Sequence, residues 1–340
     1  MSKDPLPTGK LSAEFLSQLL AELDTDDESV IVEPGIGRDV AILDVGAADY
    51  LVVTCDPITF ATDALGYYTV CVNINDIATS GGTPRWMLTT LLLPAGGTDE
   101  ALVRNIWQQL RQTAAQWNIL LVGGHTEVTA TVEVPVTSGM MIGTVPRGEQ
   151  IAASGVQEGD AIVLLGQAPI EGTALLAREL GERLSDEGFT DQEIQQAAEL
   201  LLNPGICVLN YARLATETCT DIHAMHDPTE GGVATGLWEM AMASEVGLRV
   251  DAEAIELAPL GARFCATLRI DPLGLIASGC LLVAVTEEES QQLVAAAAQA
   301  DVPAAIIATA LPASAGLTLT TAGQTHPLPR YDQDELTRVV

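Results

Sequence analysis

Lysine is nearly absent from this sequence: Lys3 and Lys10 are the only two among 340 residues. Fifteen basic residues face 46 acidic ones, for a formal net charge of −31. Such a field repels a phosphate backbone, which argues against nucleic acid as a partner. It repels free ATP as well, so a nucleotide site here requires divalent metal or a local cluster of donors. Aromatic residues make up only 4% of the chain. Leu, Val, Ile and Ala must therefore fill the core, which suits packed α/β layers better than an aromatic recognition surface. No stretch reaches ~18 uninterrupted apolar residues, so no membrane span is expected. The opening MSKDPLPTGK is polar with no apolar run behind it, so no secretory signal is expected either. None of the six cysteines forms a C-x-x-C pair, and several sit inside apolar runs. Free buried thiols in a reducing cytoplasm are the expectation, rather than a disulfide framework. There is no G-x-x-x-x-G-K-[ST] loop and no complete G-x-G-x-x-G, which disfavours the common nucleotide folds.

What is present is apolar and regularly punctuated. Hydrophobic residues make up 48% of the chain, and a single core rarely grows beyond ~250–300 residues, so two domains are expected. The polar, turn-rich stretch at 146–160 divides the chain into an N-terminal domain, 1–150, and a C-terminal domain, 151–340. Helical periodicity runs over 11–23, 66–80 and 98–117, and strand-like runs end at Asp56 and cover 86–94. LLVGGHTEVT reads as a strand entering a glycine turn. In the second half AIVLLG, IHAMHD, CLLVAVT and AAIIATA read as strands, with helices at 171–184, 188–202, 205–218, 231–246 and 287–299. The last 20 residues read as a polar end. The fold class is α/β.

Four N-terminal segments set an acid beside a strand or helix end: Asp39 in GIGRDVAIL, Asp56 in VVTCDPIT, Asp76 in VNINDIATSGG, and Glu127 in VGGHTEVT. Magnesium prefers oxygen ligands and keeps several waters, so one or two protein carboxylates per ion suffice. Asn73 and Asn75 offer neutral oxygens. An acid such as Asp56 at the end of a buried strand is costly unless paired, hydrogen-bonded or bound to metal. Gly81-Gly82 and Gly123-Gly124 allow close approach of backbone to phosphate and are equally ordinary turn formers. Lys10 reads either as a phosphate contact on a mobile arm or as a solvated terminal lysine. His125 reads either as an acid–base group or as structural. In DIHAMHDPTEGG, Asp227 and Thr229 precede two glycines and a helix, an arrangement that presents N–H groups and a hydroxyl to an anion, although Glu230 opposes this. His223 and His226 face opposite sides of a strand, which disfavours zinc held by that pair.

At these segments the chain resembles the PurM-like superfamily of aminoimidazole ribonucleotide synthetase, thiamine-monophosphate kinase, selenophosphate synthetase and the hydrogenase-maturation carbamoyl dehydratase. The matching stretches are GRDVAIL, TCDPIT, NINDIATSGGTPRW, GGHTEVT and HDPTEGGVATGLWEMA, in the expected order, with DPLGLIASGCLLVAV beyond them. GGHTEVT and DPT-x-GG look closest to the hydrogenase-maturation branch. The resemblance implies an N-terminal domain whose strands form a β-barrel across a homodimer, a C-terminal α/β domain, and ATP with Mg2+ in a cleft near the interface. It implies magnesium or phosphate contacts for Asp39, Asp56, Asp76, Glu127 and Asp227. Nucleotide contacts would extend to Lys10, Asn75, Gly123, Gly124 and Thr229, with His125, Glu127 and Asp227 as catalytic candidates. Two departures stand out: the chain ends DELTRVV with no cysteine after Cys280, where the maturation enzyme carries a terminal cysteine, and Glu230 replaces an arginine usual in that branch. The expected function is ATP-dependent activation or phosphorylation of an oxygen of a small carbonyl, amide or hydroxyl substrate. The alternative is a non-catalytic nucleotide-binding dimer that assists a protein partner in maturation.

Overall fold

Two sheets, each covered by helices, make up the computed structural model, which describes residues 11–23, 25–59, 61 and 63–340. Lys10 therefore lies outside the described residues. The first sheet contains β1 (Val30–Val32), β2 (Ala41–Leu43), β3 (Asp49–Ile58), β4 (Thr83–Pro94), β5 (Leu120–Thr129) and β6 (Val136–Pro146). Their order is β1-β2-β3-β6-β4-β5. Helices α1 (Ala13–Leu20), α2 (Leu65–Thr79) and α3 (Glu100–Gln116) belong to this half. The second sheet contains β7 (Ala161–Leu165), β8 (Ala224–His226), β9 (Val246–Asp251), β10 (Leu281–Val285), β11 (Ala304–Pro312), β12 (Leu317–Thr321) and β13 (Gln324–Pro327). Its order is β13-β12-β9-β11-β7-β10-β8. Around it lie α4 (Ile170–Glu179), α5 (Gly181–Asp186), α6 (Asp191–Glu199), α7 (Leu209–Thr218), α8 (Gly232–Ala243), α9 (Pro259–Leu268) and α10 (Glu287–Gln299). Among the described residues no helix is long and apolar enough to cross a membrane.

The helix α2 connects the two halves. It packs on α3, β3 and β6 of its own half and on α7 and β8 of the other. A helix enclosed on all sides is apolar around its circumference, and here Leu65, Tyr68, Val70, Cys71, Ile74 and Ile77 are all buried. Several of the polar side chains it buries have assigned partners, the Tyr68 hydroxyl being an exception. Tyr67, Cys71 and Asn75 follow one another at i, i+4 spacing along one stripe. Asn75 Nδ2 donates to the Ile206 carbonyl at 2.9 Å and its Oδ1 accepts the Val208 amide at 2.8 Å. The Tyr67 hydroxyl accepts the Ile206 amide at 3.3 Å.

The glycine pairs behave differently from one another. Gly81 and Gly82 end α2 as an ordinary turn, with the Gly82 amide bonded to the Ile77 carbonyl. Gly123 and Gly124 are not a turn: they lie inside β5, at an irregularity in its parallel pairing with β4. A Cβ on Gly124 would come within 2.0 Å of the Thr89 carbonyl oxygen, so glycine is required there by backbone packing. The chain end also differs from a plain polar end. It adds β12 and β13 and then buries Asp334, Glu335 and Leu336. Asp334 and Glu335 there accept the amides of Gly231 and Asp271, 103 and 64 positions away, which local pattern does not reveal. All six cysteines are free thiols.

Candidate active site

Four of the five predicted acids converge where the halves meet. Asp39 leaves the Gly35–Arg38 turn ahead of β2. Gly37, in the left-handed region at φ +69°, lies so close to α8 that a Cβ there would meet Glu239 Cβ at 3.4 Å. Asp56 stands near the end of β3, where Asn73 holds its backbone: the Asp56 amide donates to Asn73 Oδ1 at 3.1 Å. Asp76 projects from α2 and is fully buried, and Asp227 follows β8 with 2% exposure. Burial drives the Asp76 carboxyl far above its usual range, and the charges of Asp56, Asp227 and Asp39 push it further. Burial and the charge of Asp39 raise Asp227 to about 7.

Hydrogen bonding agrees with a proton on Asp76. The Thr54 hydroxyl lies 2.6 Å from Asp76 Oδ2 and 2.9 Å from the Asp39 carbonyl oxygen. A hydroxyl has one proton to donate. Both contacts are hydrogen bonds when the Asp76 carboxyl donates to Thr54 and Thr54 donates to the carbonyl.

His226 completes the group. Its Nε2 lies 2.9 Å from Glu239 Oε2 and its Nδ1 3.4 Å from Asp39 Oδ2. Burial disfavours a charged imidazole, but Asp39 and Glu239 outweigh it and raise the His226 pKa well above its ordinary value. One buried atom in the cluster, Asp227 Oδ2, has no hydrogen-bond partner, while His226 Nδ1 is engaged by its ion pair with Asp39. One ligand atom each from Asp39, His226 and Asp227 lie within 4.8 Å of one another. Oxygen-rich donors, mutual repulsion and an orphaned buried carboxylate oxygen together fit a divalent cation.

The remaining predicted residues are placed elsewhere. His125 and Glu127 face solvent on β5, with His125 Nε2 3.1 Å from Glu127 Oε2. The register Asp56–Gly139–Thr89–Gly124 runs across β3, β6, β4 and β5. Three strand spacings, about 14 Å, therefore separate that edge from Asp56 within one chain. Asn75 was expected among the nucleotide contacts, but both ends of its amide are engaged across the domain boundary. Thr229 is half-buried, and its carbonyl accepts the amides of Gly232 and Ala277. The expected anion cradle at the start of α8 is occupied by protein. The Gly231 amide donates to Asp334 Oδ2 at 2.7 Å, and the Gly232 amide to Thr229. His223 and His226 have different partners: His223 Nδ1 sits 2.8 Å from Asp160 Oδ2, and His226 Nε2 faces Glu239.

Sequence reasoning missed three participants: Thr54, Glu239 and the reach of His226 to Asp39. Glu239 had a visible signal, as the lone acid in the otherwise apolar helix GVATGLWEMAMA. Thr54 had none beyond its two-residue spacing from Asp56, which puts it on the same face of β3.

Residues 37–145 match the AIR synthase related protein N-terminal domain, and residues 157–317 match the corresponding C-terminal domain. A putative hydrogenase expression/formation protein of Methanocaldococcus jannaschii is 29% identical over 301 residues, covering 84% of this chain and 82% of the relative. Carbamoyl dehydratase HypE of Rhodobacter capsulatus is 29% identical over 275 residues, covering 80% and 75%. The crystal structure of Escherichia coli HypE, a hydrogenase maturation protein, superposes with a TM-score of 0.74 at 21% identity, covering 96% of this chain and 99% of that one. A structure of hydrogenase maturation protein HypE in complex with ATP gives 0.68 at 20% identity, covering 97% and 98%. These superpositions show a shared two-domain fold.

Proposed function

The chain belongs to the AIR synthase related proteins in both of its halves, and on that premise we propose that it is an ATP-dependent enzyme. Its substrate is a small molecule bearing a carbonyl, amide or hydroxyl oxygen, which ATP activates or phosphorylates. The observation that carries the reading is the convergence of Asp39, Asp56, Asp76 and Asp227 from both domains on one another's charge. Magnesium-bound ATP supplies the phosphoryl group and the positive charge that the −31 chain lacks. Asp39, Asp56, Asp76 and Asp227 hold the magnesium, with Glu127 as a further candidate. Thr54 and Asn73 keep the carboxylates in position. The chemistry then depends on alignment and charge neutralisation, without a covalent protein intermediate. Lys10, Gly123, Gly124 and Thr229 remain proposed nucleotide contacts, with His125, Glu127 and Asp227 as catalytic candidates. The relatives' names support the reading: one is a carbamoyl dehydratase, and a related fold has been solved with ATP.

We further propose a domain division at about residue 150 and a homodimer formed along β5. That ten-residue edge strand is exposed almost throughout, including Leu120, Val122 and Val128. An open apolar strand edge invites pairing with another strand. The test is magnesium-dependent ATP turnover across a small-metabolite panel, with Asp56→Asn as control. Absence of both turnover and any nucleotide-dependent rise in Tm refutes the proposal. Nucleotide binding without turnover, together with a co-purifying partner, would favour the scaffold reading.

A further inference from the structure

We infer that Glu171, with Glu230 and Asp334 beside it, forms a recognition site for the cationic nitrogen group of an organic molecule, a primary ammonium or a guanidinium. As a cation site it stands by itself. As the substrate end of the proposed reaction it rests on the ATP reading.

The first observation is an orphaned atom. Glu171 opens α4 and is only 5% exposed. Its amide donates to the Ser278 carbonyl at 3.2 Å, and the Ser278 side chain hydrogen-bonds its carboxyl. Glu171 Oε2 is nevertheless buried with no hydrogen-bond partner. The start of α4 is pressed onto the segment before Ser278: a Cβ on Gly172 would come within 2.4 Å of Leu275 Cγ and 2.7 Å of the Ile276 carbonyl oxygen. The carboxyl is therefore held where it stands, and an unpaired buried carboxyl oxygen is costly without a ligand.

The second observation is charge. The neighbouring charges of Glu230 and Asp334 are both negative, and with burial they raise Glu171 to about 8. From α2, Tyr68 and Cys71 lie within electrostatic reach of Glu171, both held neutral by burial. Arg178, the basic residue of α4, is engaged by Asp63. An enclosed water would satisfy Oε2 but would leave the repulsion among the three acids in place. A cation with several N–H donors relieves both, since ionised carboxyls only accept. Spacing favours an organic cation over a metal ion. Among the described residues, Asp39, His226 and Asp227 are the one group of three whose ligand atoms lie within 4.8 Å of one another, so Glu171, Glu230 and Asp334 stand too far apart for a single ion's shell.

The third observation is position. Glu230 follows Asp227 by three residues in DPTEGG. The Ala277 amide donates to the Thr229 carbonyl at 3.3 Å, and the Gly172 amide to the Ile276 carbonyl at 3.0 Å. Segment 276–278 thus ties the start of α4 to the loop that carries Asp227. Asp334 is fixed on the same loop by the Gly231 amide at 2.7 Å. A molecule held by its nitrogen at Glu171 would extend along this loop toward the carboxylate cluster. Glu230, which opposes an anion here, is the charge that such a cation needs.

The test uses the full chain with magnesium and ATP, labelled with carbon-13 at its side-chain carboxyls. The probes are methylammonium and methylguanidinium chloride, with tetramethylammonium chloride, which has no N–H donor, as control. At pH 7 the Glu171 signal, assigned by its loss in Glu171→Gln, should move from the neutral to the ionised position as one of the two N–H probes binds, because the cation draws off the carboxyl proton. Glu171→Gln should melt like wild type at pH 7, since the amide mimics the neutral carboxyl, and should bind that probe at least tenfold more weakly. A Glu171 signal unmoved by both probes, equal affinity in Glu171→Gln, or tetramethylammonium binding as tightly as the N–H probes each overturns the inference. ATP turnover without cation binding sinks this inference alone. Cation binding in a chain that neither binds nor turns over ATP upholds the cation site and sinks the proposed function.

Discussion

The hydroxyl of Thr54 lies 2.6 Å from the Asp76 carboxyl oxygen, and this contact links the charge state of the cluster to the position of Asp39. Thr54→Val keeps the shape and removes the relay. It should cost about 1–3 kcal/mol, since a buried carboxyl loses its partner. Urea unfolding with an unchanged m-value would register this as a lower midpoint. A stability equal to wild type would mean that the relay contributes nothing.

Asp56→Asn should leave the fold intact, because the substitution keeps the side-chain shape and Asn73 holds residue 56 through its backbone. Magnesium-dependent turnover should fall on the order of a hundredfold or more, as for loss of a group that stabilises developing charge. The drop should appear in kcat/KM, with a melting temperature near wild type. Full activity would remove Asp56 from the proposed machinery.

Asn75→Ala should loosen the two domains from each other. The substitution orphans the Ile206 carbonyl and the Val208 amide. A loss of about 2–4 kcal/mol is expected from two buried groups left unpaired. Hydrogen exchange should rise at residues 206 and 208 before it rises in β10. Unchanged exchange there would contradict the clamp.

Glu171 provides a pH signature away from the carboxylate cluster. Burial, together with the charges of Glu230 and Asp334, raises it to about 8, against a partly opposing hydrogen bond from Ser278. A carboxyl whose folded pKa is raised binds more protons folded than unfolded, so its contribution to stability declines as pH rises. The decline starts near the unfolded value of 4.5 and is complete above about 8. Asp334, raised to about 6 chiefly by burial, acts in the same direction. Metal-free protein should therefore melt several degrees lower at pH 8 than at pH 5, and Glu171→Gln should flatten that slope. A slope unaltered in the variant would refute the assignment.

Val122→Asp should disrupt the proposed dimer without unfolding the chain. Val122 is 55% exposed on the edge strand β5, so an added charge costs little in one chain and much in an apolar interface. Light scattering on the eluting protein should give a halved mass. A wild-type chain that already elutes as a monomer would refute the dimer directly.

Much of the framework was legible locally. Asp56 stands out because an apolar strand ends at an acid, and α2 because helical periodicity runs over 66–80, although its burial on all sides was not legible. The edge exposure of β5 was not legible, because LLVGGHTEVT reads the same in a central strand as at an edge. Gly123-Gly124 looked like a turn, and only the proximity of Thr89 shows why a strand carries glycine there. The amides before α8 looked open to an anion. Asp334, over a hundred residues later, takes one of them.

By itself the sequence determined the α/β class, the two-part organisation and the acids that had to be paired, because periodicity and the cost of burying charge act locally. Tertiary structure alone decided which acids meet. Asp39 and Asp227 lie far apart along the chain, and only folding brought His226 against both Asp39 and Glu239. Coulomb repulsion and desolvation depend on distances of a few ångströms, and such distances are set by how the domains pack around α2.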